Sequence, residues 1–477
     1  MKKQIVKRSA AMLSAAVSMF SLSTVSALPI VQAAAKDEAR FPYAMFAASE
    51  DAGAITVNAK HFCMNGDIAA NGTIVTGKKP SINGKTIQNA DADMLFIGDK
   101  INAQYFGNAQ AVDALNLSKS NVNVNAPLDV TGDAAIKGNS NISAAIKAEN
   151  DIDISGNVSN VNNSVLYSQF GDIIIDCNNV NLSGIIYAPL GNVEITANNI
   201  NLNNVVVIAD TITLNANNVN ANYGRNYAEI AGNVSENKAD YIRKYNSYLL
   251  NKDVDEALDI ISEYYELTPV DTGEFSTINI FGMMQFDVKQ YVVEGYGNLS
   301  VMKTDGAQQM ATMVLAPFEK DLPLISTDYM YNGEQHISYI EFYGLCADSK
   351  SADYQNVIKK LGGVADAYKQ LPNTTPTPAW YDEIRTMGLF KVTNYDEGET
   401  VGQMLFDSIR VTMDASTTMP QLNASQKAVK CAAIQQYSDN LVDMGGVSTD
   451  MFKMVLGVDT TKMFFNNIFF GTASYPF

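Results

Sequence analysis

Hydrophobic and polar positions repeat along the N-terminal half of the chain with a period of about twenty residues. Three consecutive copies begin at Gly171, Gly191 and Thr211 and read GDIIIDCNNVNLSGIIYAPL, GNVEITANNINLNNVVVIAD and TITLNANNVNANYG. Each copy holds short runs of alternating apolar residues separated by Asn and Gly, which is typical of one coil of a parallel β-helix. Because one coil cannot bury its inner face alone, stacked coils must share a core. We predict a right-handed parallel β-helix over residues 36–232.

Asparagines occupy equivalent positions at the corners of these copies. Asn tolerates the left-handed backbone conformation of a sharp corner, and its amide can hydrogen-bond to the equivalent amide of the next coil. Asn178, Asn198 and Asn217 are therefore predicted to form a ladder along the helix. Such amides also offer donors and acceptors to a glycan, so a carbohydrate-binding or cell-surface scaffold is one role that fits the pattern.

Weaker copies of the repeat lie upstream, at AITVNAKHFCMNGDIAANGTIV from Ala54 and AENDIDISGNVSN from Ala148. In the first of them His61 takes the place of Asn199, which favours a surface position over a role as a ligand. The pattern is interrupted around residues 77–120. We interpret this stretch as an insertion, or as a cap on one side of the β-helix.

The pattern changes from a strand period to a helix period after Ser235. Residues 233–269 carry apolar residues at helical spacing, and Pro269 ends the pattern. A break around Asn251 predicts two helices in this segment. We place the domain boundary at this helical connector.

The remainder of the chain contains strand-like runs first and helical stretches afterwards. The strands are predicted over 276–282, 285–293, 299–303, 310–315 and 336–343, and the helices over 351–370, 402–411 and 424–440. Grouped strands followed by grouped helices favour an α+β domain with an antiparallel sheet. A chain of 477 residues, 47% of them hydrophobic, can bury the two separate cores that this organisation requires.

Residues 1–35 have the layout of an export signal. Basic residues precede an uncharged run from Ala10 to Val31, and small residues follow at Ala33 and Ala35. We expect cleavage near one of these alanines, and a protein that is secreted or displayed at the cell surface. The alternative is an uncut N-terminal anchor, because the run is long enough to cross a bilayer.

Charge and metal-binding residues exclude several function classes. A formal net charge of −18 disfavours nucleic acid as a partner, since nucleic acid selects for clustered Lys and Arg. Two histidines, His61 and His336, are too few for a multi-histidine metal centre. The cysteines are Cys63, Cys177, Cys346 and Cys431. Their wide spacing disfavours a zinc site and is compatible with either two disulfides or four free thiols.

Two stretches of the second domain resemble a known family. From Met310 to Leu345 the chain reads MATMVLAPFEKDLPLISTDYMYNGEQHISYIEFYGL, with a strand, a Pro, a D-L-P turn and an Asp on the next strand. AAIQQYSDN from Ala432 and FKMVLGVDTTKMFFNNIFF from Phe452 are similar to the family's final helices. The family is that of the ferredoxin-dependent bilin reductases and the related red chlorophyll catabolite reductases. The N-terminal half resembles parallel β-helix surface proteins.

The resemblance implies an α/β/α sandwich over residues 270–477 that holds a linear tetrapyrrole between its sheet and its C-terminal helices. In that family the reaction needs neither flavin nor metal. An external ferredoxin-type donor supplies electrons one at a time, and acids of the protein supply protons. No bound cofactor is therefore expected, and a linear tetrapyrrole (bilin) is the expected substrate or ligand.

The same resemblance indicates two acids at the site. Asp328 stands at the family's central aspartate, where a buried carboxyl group can donate a proton, and Asp439 stands at an acid of the final helices. Thr312 lies near the place where many members have a histidine, and NLVD after Asp439 replaces a basic run. The residues alone also allow Asp328 to be an acid in a turn. Glu341 is either a second acid on the same face or, as we favour from sequence, a solvent-side residue.

Two functions are compatible with these observations. In the first, the chain is an exported cell-surface or secreted protein whose β-helix contacts a glycan or the cell envelope, and whose second domain binds a bilin or another small molecule without clear catalysis. In the second, the chain is an extracytoplasmic oxidoreductase that reduces a linear tetrapyrrole, with Asp328 as proton donor and an external electron donor. A retained fold does not imply a retained reaction, so we prefer the first hypothesis.

Overall fold

The structure is a computed structural model that describes residues 41–224, 238–282, 284–306, 308–446 and 449–475. The expected export signal over residues 1–35 lies outside the described residues. Within them, no helix combines the length and the apolar character needed to span a bilayer.

The N-terminal half is a parallel β-solenoid of about seven coils, as the repeat predicts. Its strands are β1 (Tyr43–Ala47), β2 (Ile55–Asn65), β3 (Asp67–Ala70), β4 (Ile74–Thr76), β5 (Ser81–Asn83), β6 (Thr86–Ile87), β7 (Gln110–Val112), β8 (Leu115–Val124), β9 (Leu128–Val130), β10 (Ala134–Ile142), β11 (Ile146–Ala148), β12 (Ile152–Ser168) and β13 (Ile173–Tyr223). The pairs between them are parallel. The long strand β13 contains most of the three clearest copies of the repeat.

Inward side chains of successive coils form one continuous apolar core. Ile175, Ile195 and Leu214 stand at equivalent positions of three coils, and each is at most 1% exposed. Burying one such side chain contributes about 1.5–3 kcal/mol relative to leaving it in water. Stacking therefore supplies the stability that no single coil has.

The predicted asparagine ladder is confirmed. The amide Nδ2 of Asn198 donates to Oδ1 of Asn178 at 3.5 Å, and that of Asn217 donates to Oδ1 of Asn198 at 3.1 Å. A second ladder runs beside it: Asn218 donates to Asn199 at 2.8 Å. His61 is the next residue in this second column, paired with Asn218, and it is exposed, as its position in the repeat predicts.

The stacking order of the coils differs from their order in the chain. β2 pairs with the last part of β13, Ile55 with Ile212, so the upstream copy stacks beyond the final coil and not before the first. The opposite end of the stack is β8, from which the series continues through β10 and β12 to β13. The repeat alone could not predict this order, because every coil presents a similar set of inward residues to either neighbour.

A short helix, α1 (Gly98–Tyr105), lies on one side of the solenoid within the stretch interpreted as an insertion or cap. Ile97 and Ile101 pack against an outward apolar row that includes Tyr187. The Tyr187 hydroxyl donates to the carbonyl oxygen of Leu95 at 2.9 Å and accepts from the backbone N–H of Ile97 at 3.0 Å. α1 therefore covers a face of the solenoid that would otherwise expose apolar side chains.

The second half of the chain consists of a sheet and helices. The strands are β14 (Leu267–Val270), β15 (Thr277–Ile280), β16 (Met284–Val293), β17 (Gly297–Asp305), β18 (Gln309–Pro317), β19 (Leu324–Asn332), β20 (Gln335–Tyr343) and β21 (Arg385–Asn394). The helices are α2 (Lys238–Ser262), α3 (Ala352–Ala367), α4 (Gly398–Thr418), α5 (Ala424–Met444), α6 (Thr449–Leu456) and α7 (Val458–Phe464), and a π-helical turn follows over Phe465–Phe469.

These strands form one antiparallel sheet in the order β14-β16-β17-β18-β19-β20-β21, with β15 as a second partner of β16. Helices α2, α3 and α4 pack on one face of the sheet, and α5, α6 and α7 pack on part of the other. The predicted fold class, a parallel β-solenoid followed by a domain with an antiparallel sheet and helices, is confirmed.

Helix α2 is continuous, so the prediction of two helices with a break around Asn251 is wrong. The segment contains neither Gly nor Pro, the residues that most strongly interrupt helices. Asn251 accepts a hydrogen bond from Nζ of Lys303 on the sheet and does not end the helix.

α2 also joins the two halves of the molecule. Its residue Tyr248 lies against Phe170 of the solenoid, with ring centroids 4.8 Å apart, and its hydroxyl donates to Oδ1 of Asn150 at 2.9 Å. The hydroxyl of Tyr241 donates to the carbonyl oxygen of Gln169. An aromatic cluster therefore forms the junction, and the helix packs on both halves.

Candidate functional site

Side chains of β19 alternate between the two faces of the second domain's sheet. Tyr329 packs among the residues under α2, α3 and α4, so its neighbour Asp328 points to the opposite face, which α5, α6 and α7 cover only in part. Asp328 lies in the middle of the strand, paired with Thr312 on β18 and Tyr339 on β20. The alternative interpretation of Asp328 as an acid in a turn is therefore wrong.

Thr312 orients the carboxyl group of Asp328. The Thr312 hydroxyl donates to Oδ1 of Asp328 at 2.7 Å. Burial raises the pKa of Asp328 because apolar surroundings disfavour the charged form, and the Thr312 hydrogen bond opposes that rise by stabilising the carboxylate. Thr312 thus positions the acid through a hydroxyl group that does not itself titrate.

Around Asp328 the sheet carries a half-buried patch at the margin of the surface that the C-terminal helices cover. We call it the Asp328 patch; it is formed by Ser326, Asp328, Met330, Ile337, Tyr339 and Phe390. Tyr339 and Phe390 pack edge to face with ring centroids 5.2 Å apart. The carboxyl group of Asp328 thus lies among aromatic and apolar side chains, which is a composition typical of small-molecule sites.

Glu341 on β20 is a second acid at this patch. It pairs in register with Ser326, which places it diagonally across from Asp328 on the same face, and it is only 8% exposed. The preferred sequence interpretation of Glu341 as a solvent-side residue is therefore wrong. Its carboxylate accepts from Nη1 of Arg385 at 2.8 Å, and Nη2 of Arg385 lies 2.7 Å from Oδ1 of Asp382.

The electrostatics of Glu341 combine opposing effects. Burial raises the pKa of this carboxyl group to about 6, and the negative charge of Asp328 adds to the rise. The positive charge of Arg385 and hydrogen bonds from Arg385 and Tyr343 act in the other direction. Glu341 can therefore change its protonation state close to physiological pH.

Aromatic side chains border the patch at its Glu341 end. Tyr343 of β20 and Tyr437 of α5 have ring centroids 4.9 Å apart, and their hydroxyl groups are hydrogen-bonded to each other. Trp380 packs 5.7 Å from Tyr437, and its Nε1 donates to the carbonyl oxygen of Gly445 at 2.8 Å. Trp380 thus packs against α5 and is held in place by the backbone that follows this helix.

The structure does not bring Asp439 together with Asp328. Oδ1 of Asp439 accepts from Nδ2 of Asn466 at 3.1 Å, and in the described part of the chain no hydrogen bond joins it to Asp328. Tyr437, two residues earlier on α5, is the residue that packs on the site. Two residues correspond to more than half a turn of an α-helix, so both side chains cannot point the same way.

Histidines and cysteines lie away from the patch. Across the described ranges, no three His, Cys, Asp or Glu side chains are close enough to hold a metal ion together. His336 is buried on the opposite face of the sheet, with Nε2 2.8 Å from Oδ1 of Asn246. Burial lowers its pKa to about 3, so the ring is neutral at physiological pH. All four cysteines have free thiols, and one of them, Cys63, is exposed.

Comparisons with known proteins add structural relatives only. No protein-family model matches the chain, and no curated protein matches it. A crystal structure of phytochromobilin synthase from tomato in complex with biliverdin is 15% identical, with a TM-score of 0.41, and the match covers 46% of this chain and 83% of that one. An ice binding protein from an Antarctic Biological Consortium is 13% identical, with a TM-score of 0.25, covering 40% of this chain and 94% of that one.

Sequence reasoning missed the roles of Glu341, Arg385 and Tyr437. Glu341 and Arg385 are 44 residues apart and meet only because β20 pairs with β21. Because side chains of a strand alternate between its two faces, the sequence EFYGL could have placed Glu341 and Tyr343 on one face. Knowledge of the register between β19 and β20 would then have placed Asp328 on that face as well. That register was the missing information.

Proposed function

We propose that the second domain binds a linear tetrapyrrole of the bilin class on the Asp328 patch, in an exported protein whose solenoid contacts the cell envelope. The observation that carries the ligand site is the half-buried carboxyl group of Asp328 among Met330, Tyr339 and Phe390. A bilin is flat, conjugated and rich in N–H donors, so it can pack on aromatic rings while its N–H groups donate to the carboxylate. The ligand class itself is taken from the resemblance of residues 310–345 to the bilin reductases.

The test is a titration of the purified chain with biliverdin and with bilirubin, followed by absorbance. We expect saturable binding in the micromolar range with a spectral shift. Asp328→Asn keeps the size of the side chain but removes its charge, and it should weaken binding about tenfold, which is about 1.4 kcal/mol. Asp439→Asn is the matched control, because Asp439 contacts Asn466 and not the patch. Absence of saturable binding to both pigments would overturn the proposal.

Reduction of the bound bilin is a second candidate function. The observation that favours it is that burial raises the pKa values of both Asp328 and Glu341, so that the patch can hold a proton to donate. Addition of two electrons from an external one-electron donor and two protons would reduce one double bond of the pigment. Glu341 and Asp328 would be the proton sources.

Anaerobic mixing of the biliverdin complex with a reduced ferredoxin-type protein separates binding from reduction. Loss of the biliverdin absorbance over several turnovers, abolished by Asp328→Asn, would support a reductase. An unchanged spectrum of a saturated complex would leave binding as the function of the site.

The solenoid offers a separate surface for contact with glycans. Asparagines of one outward column follow each other from coil to coil: Asn123, Asn141, Asn160, Asn181, Asn201 and Asn220. Asn181 and Asn201 each use one N–H and one oxygen lone pair within this ladder and retain one of each for a neutral, hydroxyl-rich ligand. Sedimentation of the chain with insoluble polysaccharides, compared with an Asn181→Ala/Asn201→Ala double variant, tests this contact. Equal sedimentation of both proteins would contradict it.

Export is proposed from residues 1–35 and is tested directly. Expression in a bacterial host should place the protein outside the cytoplasm, with a new N-terminus after Ala33 or Ala35. Recovery of the chain in the membrane fraction with its N-terminus intact would favour the anchor, and recovery in the cytoplasm would overturn export.

A further inference from the structure

Asp328 and Glu341 share one face of the sheet on neighbouring strands. Asp328 pairs with Tyr339 and Ser326 pairs with Glu341, so the two acids are diagonal neighbours in the ladder. Diagonal neighbours have Cα atoms about 7–8 Å apart, which leaves long side chains within reach of each other. Glu341 is 8% exposed, and the charge of Asp328 acts on it. Two like charges in a poorly hydrated site are costly unless one of them is neutralised.

The only cation that the structure places on these acids, among the residues it describes, cannot neutralise both. Arg385 binds Glu341 at 2.8 Å with one nitrogen and Asp382 at 2.7 Å with the other. Asp328 instead has the uncharged hydroxyl of Thr312. Arg385 is thus shared between Glu341 and Asp382, and no ion pair to Asp328 is present among the described residues. The remaining titratable groups facing the pair are phenols: Tyr339 and Tyr343 of β20, Tyr381 of the turn before β21, and Tyr437 of α5.

We propose that Glu341 is the second acid of the Asp328 site, and that the two carboxyl groups act as one unit that retains a single proton at mildly acidic pH. This assignment deepens the proposed bilin site and rests on it for its function. A pair with one proton presents both an O–H donor and carboxylate acceptors. That set is complementary to a conjugated pigment in which N–H groups stand beside an unprotonated ring nitrogen. Asp439, expected from sequence, would have no part in it.

The pair is predicted to titrate in two separate steps that belong to both residues. The upper step lies near the pKa of about 6 to which burial raises Glu341. Removing either acid removes the repulsion, so the remaining carboxyl group should titrate at a lower pH, by about one pH unit for coupling of this kind. A Glu341 that only binds Arg385 for structural reasons would leave the titration of Asp328 unchanged.

Carbon-13 NMR of the ligand-free full chain, labelled at the Asp and Glu carboxyl carbons, tests the pair without any pigment. We expect the upper step to be present in the unmodified chain, absent in Glu341→Gln, and shifted to lower pH in Asp328→Asn. Glu341→Asp, which restores a carboxyl group, should restore two steps. Asp439→Asn should keep both steps. If Asp328 titrates at the same pH in Glu341→Gln and in the unmodified chain, the inference is wrong.

The pH profile of biliverdin affinity gives the second readout. In the unmodified chain the dissociation constant should change around the upper step, and Glu341→Gln should move or remove that change. If NMR shows coupled titration of Asp328 and Glu341 but biliverdin does not bind, the inference about the acid pair is supported and the proposed ligand is wrong. If biliverdin binds with the same pH profile in Glu341→Gln, Glu341 is not part of the ligand site.

Discussion

In the solenoid an asparagine meets the same residue type in the next coil, as Asn199 does with Asn179 and Asn218, both at 2.8 Å. In the second domain many buried polar groups meet an unlike partner, as Thr312 does with Asp328, and some meet none among the described residues. Oδ2 of Asp253 and Nδ1 of His336 are both buried without a hydrogen-bond partner there. In a repeat, each polar side chain can hydrogen-bond to the equivalent side chain of the next coil. A sandwich instead brings together different residues from distant parts of the chain.

This difference indicates where chemistry can arise. Equivalent amides in register are neutral, and each one holds its neighbour in place. Unlike groups in a poorly hydrated sandwich shift each other's pKa, as Asp328 does for Glu341. We therefore expect substitutions in the solenoid to change stability or glycan contact without changing pH dependence, and substitutions in the sandwich to change pH dependence and bilin binding.

The largest effects are expected for the removal of buried core side chains, and the solenoid core provides the first example. Ile195 is 0% exposed, and Ile195→Ala should lower the free energy of unfolding by about 2–5 kcal/mol, because it removes buried methyl groups and leaves a cavity. Urea denaturation measures the change. Ile174→Ala is the control, since Ile174 is outward and 36% exposed, and it should change stability by less than about 0.5 kcal/mol. Equal effects of both substitutions would contradict the shared core.

In the second domain, the buried acid Asp253 is expected to make stability depend on pH. Burial raises its pKa well above 3.8, and the charge of Glu399 adds to the rise. When a group binds its proton more tightly in the folded state, the free energy of unfolding falls as the pH rises from the pKa of the unfolded state towards that of the folded state. The free energy of unfolding should therefore fall above about pH 4, by up to about 1.4 kcal/mol per pH unit for this one proton.

Asp253→Asn should remove that contribution, which urea denaturation at several pH values measures. Asp255→Asn on the exposed side of the same helix is the matched control and should keep the original slope. If both variants show the slope of the unmodified chain, Asp253 is not a source of the pH dependence.

An intermediate effect is expected for one rung of an asparagine ladder. Asn199→Ala removes two side-chain hydrogen bonds of 2.8 Å and should lower the free energy of unfolding by about 1–2 kcal/mol. Asn116 is exposed and has no side-chain hydrogen bond to the rest of the described chain, so Asn116→Ala serves as control. A loss for Asn199→Ala no larger than that for Asn116→Ala would show that the ladders do not stabilise the solenoid.

The smallest effect is expected for the ion pair at the junction of the two halves. Nζ of Lys244 lies 3.1 Å from Oδ1 of Asp99, but their side chains are 46% and 65% exposed. Asp99→Asn should change stability by less than about 0.5 kcal/mol, because water screens exposed pairs. Phe170→Ala, at the buried aromatic cluster of the same junction, should cost about 3–5 kcal/mol. Thermal denaturation compares the two, and a reversed order would mean that charge, not aromatic packing, holds the halves together.

Sequence reasoning was sufficient where structure is local or repeated. The twenty-residue period predicted the solenoid, and it predicted which asparagines meet, because a coil of fixed length places equivalent residues above each other. It failed for Asn251, where a polar residue was interpreted as a break although the helix continues through it. The resemblance to bilin reductases predicted that Asp328 lies on a strand, and the structure adds that it pairs there with Thr312.

Neighbours in the chain are therefore sufficient to predict the period of the coils, their inward residues and five of the eight strands described in the second domain. The predicted ranges lack β14, β19 and β21. Tertiary structure decided the stacking of Ile55 on Ile212, the meeting of Glu341 with Arg385, and the face on which Asp328 and Glu341 lie together. The physical reason is strand register. A shift of one residue would turn Glu341 to the other face, and register is set by the packing of the whole sheet against its helices.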